Sequence, residues 1–231
     1  MALSTVPGTE LRAGPYLGRV ILAWMGVLVL FHATGCQAVQ YRALEAMGIE
    51  KRDIMASRVE GARDAQGDAR EQFATALERF RATVEIDGGD LEATYTRLDS
   101  EFQRSDARAK AVTARIDGVE TVANDLFAEW EEELDLYTDP GLKARSKTIL
   151  DETRANYRGM LSAMRRAEGA MQPVLNVFQD QVLFLKHNLN ARAIASLRQE
   201  LAGIEKLTAE LLEDMDAAIA QANAFLSSLE S

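Results

Sequence analysis

Residues able to do covalent or metal chemistry are scarce in this chain: one cysteine, Cys36, and two histidines, His32 and His187, among 231 residues. A single thiol forms no internal disulfide. Neither a cysteine-rich zinc or iron–sulfur site nor a three-histidine metal site can be assembled from this set. The phosphate loop G-x-x-x-x-G-K-[ST] and the patterns G-x-G-x-x-G, H-E-x-x-H, G-x-S-x-G and C-x-x-C do not occur. Beyond Cys36 the only imidazole is His187. It lies in the stretch Gln181 to Arg192, where Lys186, His187, Asn188, Asn190 and Arg192 gather two cations, an imidazole and two amides. Such a set can bind an anionic group or a partner segment. The same residues can equally satisfy helix ends, with Lys186 where the helix dipole favours a cation. Asp87, Asp90 and Glu92 around Gly88-Gly89 lack the ligand spacing of a calcium loop and are read as capping residues. No metal, cofactor or catalytic residue is expected, so the chain reads as non-enzymatic. Acidic residues outnumber basic ones 36 to 26, a net charge of −10, which argues against nucleic acid as a partner.

The cysteine has a distinctive setting. Arg12 and Arg19 precede Val20 to Phe31, a run without charge, and the run is followed by Ala33-Thr34-Gly35-Cys36. Twelve apolar residues fit the apolar region of a secretory signal, about 7 to 15 long, and fall short of the roughly 20 a membrane-spanning helix needs. Small residues before a cysteine resemble the lipobox of bacterial lipoproteins, in which the cysteine is acylated and becomes the new N-terminus. Ala33 and His32 depart from the usual form of that motif, which has Leu three positions before the cysteine. An uncleaved single-span anchor is the competing reading; either one ties the remainder to a membrane, and two or three acyl chains hold more firmly than one. Gln37 stands where an inner-membrane retention signal would carry Asp, so the resemblance implies the outer membrane, facing the periplasm. Residues 1–35 are thus expected to be a signal peptide and 36–231 one domain. Removing Arg12, Arg19 and Glu10 with the leader leaves 24 basic and 35 acidic residues, a net −11.

The elements that position these residues are helical throughout. Breakers cluster at Asp87-Gly88-Gly89-Asp90, Thr138-Asp139-Pro140-Gly141 and His187-Asn188-Leu189-Asn190, dividing the domain into four similar segments. In the second segment Leu91, Tyr95, Leu98, Phe102, Ser105, Ala109, Val112, Ile116, Val119, Ala123, Leu126 and Trp130 advance in steps of four and three, a heptad seam. The third segment repeats it with Tyr157, Met160, Met164, Ala167, Met171, Val174, Phe178, Val182 and Leu185, and the fourth with Ile194, Leu197, Leu201, Ile204, Leu211, Met215, Ile219, Ala222, Leu226 and Leu229. The methionines in these seams are read as core filler. The first segment is weaker and alanine-rich: Ala62, Ala65, Ala69, Phe73, Ala76, Phe80 and Val84. Asp90 is expected to cap the second helix, Asp139 with Pro140 the third, and Asn188 or Asn190 the fourth. Pro173 falls inside a continuing seam and predicts a kink rather than an end. Glu129, Glu131, Glu132, Glu133 and Asp135 close the second segment while Lys143, Arg145 and Lys147 open the third, so a hairpin would let them offset each other. The expected fold is all-α: an elongated antiparallel bundle of about four long, coiled-coil-like helices.

Several longer stretches carry a family resemblance. These are G-C-Q at Cys36 with Y-R-A-L-E-A-M-G-I-E-K-R-D-I, then R-V-E-G-A-R-D-A-Q, D-G-G-D-L, F-A-E-W-E-E-E-L, A-M-R-R-A-E and V-L-F-L-K-H-N-L-N-A-R-A-I-A-S-L. Together they resemble an uncharacterised bacterial family catalogued as domain of unknown function 2959, whose members often look like lipoproteins. The resemblance implies an envelope protein and assigns no catalytic residue. The expected function is therefore a lipid-anchored scaffold or interaction protein with an unidentified protein partner. The alternative is a periplasmic holdase-like protein for unfolded clients, and an enzyme centred on His187 is the least favoured.

Overall fold

The computed structural model describes residues 51–85 and 90–230, and for residues 191–193 the backbone alone. The leader, Cys36 and the Asp87-Gly88-Gly89 portion of the first turn lie outside the described residues. One compact unit spans Lys51–Ser231. Within it α1 (Lys51–Val84), α2 (Leu91–Leu134), α3 (Pro140–His187) and α4 (Ala191–Glu230) form an antiparallel four-helix bundle, and no strand occurs among the described residues. Chain neighbours pack side by side and α4 closes against α1, leaving α1 and α3 across a diagonal. At 1.5 Å per residue the 48 residues of α3 make a shaft about 70 Å long.

Polar pairs on the α1–α4 flank record the register. Arg63 meets Asn223, Arg70 meets Asp216 and Arg81 meets Glu205, the partner number falling step for step as the first rises. The diagonal closes through aromatic side chains: Phe178 of α3 stacks on Phe80 with ring centres 4.6 Å apart and leans on Phe73 at 6.3 Å. Nearer the other end Phe127, Tyr157 and Phe225 join α2, α3 and α4 edge to face.

The helix ends follow their residue chemistry. The Asp90 carboxylate accepts from the Ala93 amide at 3.0 Å, and Asp139 accepts from Gly141 at 2.7 Å and Leu142 at 2.9 Å, with Pro140 at a position that needs no N–H. Helix α3 continues through Pro173. The carbonyl that the proline ring leaves without its usual donor belongs to Gly169, an exposed residue, where water can serve it. Asn188 differs from expectation. It ends α3, its amide N–H donating to Leu185 O at 3.2 Å and its side-chain Nδ2 to Phe184 O at 2.9 Å.

All nine seam positions of α3 are buried. In α2 the seam drifts: Tyr95, Phe102, Leu126 and Trp130 are only half-buried, while Thr94, Glu101, Phe127 and Leu134 enter the core. A straight helix drifts by about 20° per heptad against a 3.5-residue repeat, so over this length a fixed seven-residue seam moves off the core-facing side. In α1 Gln66 takes the buried place expected for Ala65. Its Nε2 reaches Met164 O at 3.5 Å across the diagonal, and its Oε1 finds no protein partner.

Candidate interaction site

Lys186, His187, Asn188 and Asn190 are brought together at the α3–α4 turn; the Arg192 side chain lies outside the described residues. Lys186 and His187 occupy the last turn of α3 and both are exposed. Asn188 is occupied in capping, and its C=O also accepts from the Asn190 N–H at 2.7 Å. Asn188 thus serves a helix end, that of α3, and Lys186 and His187 stay outward. Sequence reasoning missed their apolar neighbours. Leu183, Phe184 and Leu189 stand 45%, 41% and 47% exposed beside them. The signal was present in two apolar residues, Leu183 and Phe184, sitting between the seam positions Val182 and Leu185. No Asp or Glu occurs between Asp180 and Glu200, the longest acid-free interval from residue 51 to 230. The turn thus combines apolar and cationic surface on an otherwise acidic chain.

The opposite end holds a second exposed apolar group: Leu136 (77%), Tyr137, Leu142 and Ile149 around the α2–α3 turn. The charges expected to offset each other there do so in part. Lys143 Nζ lies 2.9 Å from Asp135, whereas Lys147 pairs along its own helix with Asp151. Glu131 is held by Arg154, whose hydrogen bond draws the carboxyl below its ordinary range, and Glu129 meets Lys51 at 2.8 Å. Trp130 donates to Ser146 Oγ at 2.9 Å and ties the hairpin together.

Between the ends the flanks are stitched by ion pairs. Burial works against the charge on Arg165, but its hydrogen bonds to Glu168, Asp117 and Glu120 outweigh that and raise its pKa. Burial pushes the nearby Tyr157 phenol up to about 12, with the Glu120 carboxylate adding to the effect. Glu101, nearly buried, accepts from Gln72 and Arg104, each at 2.9 Å. These carboxylates and guanidiniums neutralise one another. Among the described residues no group of His, Cys, Asp or Glu is placed to hold a metal, and no helix is long and apolar enough to cross a membrane.

No curated protein and no solved structure matches the chain. The family described as protein of unknown function DUF2959 matches residues 40–229, a span that takes in the bundle almost to its last residue. The lengthwise resemblance of the sequence and this match agree, and the chain belongs to that family.

Proposed function

We propose that this protein is a non-enzymatic lipoprotein of the bacterial envelope, anchored through lipid on Cys36, whose helical bundle is a scaffold presenting the α3–α4 turn to a protein partner. The observation that carries the reading is where apolar surface is exposed. Among the described residues every strongly exposed large apolar side chain lies in the α2–α3 hairpin or at the α3–α4 turn. The shaft between them is laced with ion pairs, and its apolar seams are consumed internally. That distribution favours contact at the ends over a groove that holds unfolded clients. The partner at the α3–α4 turn carries carboxylates beside apolar residues, complementary to Lys186, His187, Phe184 and Leu189. Gln37 after the cysteine favours the outer membrane, with the bundle in the periplasm.

Metabolic labelling with palmitate tests the anchor: the wild type takes up label and Cys36→Ser does not. Label retained by that variant, or absent from the wild type, ends the assignment. A photo-crosslinking residue at Leu189 should give a discrete protein adduct that Phe184→Glu abolishes. An adduct pattern shared with a probe at exposed Ala111 on the shaft would contradict a specific docking turn.

A further inference from the structure

The α2–α3 hairpin tip lies at the end of the bundle where the chain enters. Lys51, the first residue of α1, bonds to Glu129 at 2.8 Å, and α2 runs on from there to Leu134. Beyond Leu134 no residue is buried until Ser146, so the hairpin stands clear of the packed core. Its tip reads Asp135-Leu136-Tyr137-Thr138-Asp139-Pro140-Gly141-Leu142-Lys143.

The charges in this tip are spent internally. Asp139 is engaged by the amides of Gly141 and Leu142, and Asp135 by Lys143. What remains outward is apolar: Leu136, Tyr137 and Leu142, at 77%, 42% and 51% exposure. Ile149, one heptad after Leu142, extends the same helix face and is 53% exposed. Two leucines around a tyrosine, with Asp135 and Asp139 of the tip itself engaged, suit the boundary between lipid headgroups and acyl chains, where an amphipathic ring keeps its hydroxyl wet.

Chain length supplies the occupant. Fourteen residues separate Cys36 from Lys51, so even fully extended they span no more than about 50 Å. A lipid on Cys36 therefore holds the Lys51 end near a bilayer. We infer that the tip formed by Leu136, Tyr137 and Leu142 inserts into the surface of the lipid layer that carries the Cys36 anchor, giving the bundle a second foothold. This rests on the lipidation proposed above. A few side chains bind lipid weakly on their own, and the anchor supplies the local concentration that makes their contact persistent. The flanking acidic residues direct the tip to zwitterionic rather than anionic lipid.

The test uses the full-length protein, processed in cells and reconstituted into phosphatidylethanolamine–phosphatidylcholine vesicles with brominated acyl chains. Tyr137→Trp and Leu142→Trp report from the tip, Leu189→Trp from the α3–α4 turn, and the unsubstituted processed chain supplies the background of Trp130. Mass spectrometry of the same samples reads acylation of Cys36. The expected result is quenching at 137 and 142 at least about twofold stronger than at 189. On an acylated chain, tip tryptophans that stay unquenched and open to iodide overturn the insertion while leaving the anchor standing. A chain without acyl groups overturns both.

Discussion

The two ends of the bundle solve the same problem, reversing a long helix, with different chemistry. At the α2–α3 turn the reversal is closed by charge: Asp139 caps α3 through two amides, Pro140 opens the helix, and Lys143 reaches back to Asp135. At the α3–α4 turn a neutral amide does the work, Asn188 returning its side chain to Phe184 O. The first end consumes its charges and leaves leucine and tyrosine outward. The second leaves Lys186 and His187 outward beside leucine and phenylalanine. The difference teaches that capping chemistry decides which side chains remain available. The ends consequently offer different surfaces, one apolar with acidic flanks, the other apolar beside Lys186.

The comparison depends on a rigid shaft, and the largest expected effect comes from breaking it. Phe178→Ala removes a fully buried ring that stacks on Phe80, and should destabilise the bundle by about 3–5 kcal/mol in a urea titration. Truncation at that site without loss of stability would mean that the half of the bundle nearer the α3–α4 turn is not packed around this ring. Next is an alkaline effect in the half nearer the α2–α3 hairpin. Because burial raises the folded pKa of Tyr157 to about 12, its contribution is complete below the unfolded value near 10 and is lost as pH rises through 12. The loss approaches roughly 2–3 kcal/mol, and Tyr157→Phe should keep its stability over that range. Coincident alkaline profiles for the two proteins would contradict a buried phenol. The caps compare the ends directly: Asp139→Ala should lower stability by about 1 kcal/mol and Asn188→Ala by about half that, read as shifts in denaturant midpoint. The reverse order would mean that the neutral turn is the better closed one. Last, and of opposite sign, is Gln66→Leu between the halves, expected to stabilise by a few tenths of a kcal/mol, ~0.3, because Oε1 is buried without a protein partner. A destabilised variant would show that the amide has a role in register beyond its hydrogen bonds.

How much of this was written in the sequence varies by helix. The α3 seam could be read off residue by residue because its nine positions from Tyr157 to Leu185 are all apolar. Helix α2 was harder. Thr94, Glu101 and Ser105 are buried yet polar, and burial of Glu101 depends on Gln72 arriving from α1 to meet it, which spacing along one helix cannot reveal. Leu126-Phe127 offers two apolar residues in succession, and helical drift chooses the second. Gln66 was hidden for the same reason as Glu101, its position being fixed by Met164 across the diagonal. At the candidate site the polar residues Lys186, His187, Asn188 and Asn190 were legible as an unusual cluster. Their exposed apolar companions were not, because whether Phe184 points to core or solvent depends on where the four helices close. Asp139 and Pro140 were read correctly because capping is local chemistry.

Attachment of the bundle to a membrane through Cys36, proposed above, can be read from the mass of the mature protein. Protein extracted from membranes with detergent and analysed intact should begin at Cys36 and carry a diacylglyceryl group with a further acyl chain on the amino group. A chain that begins at Met1, or that begins at Cys36 without lipid, would rule out the Cys36 anchor.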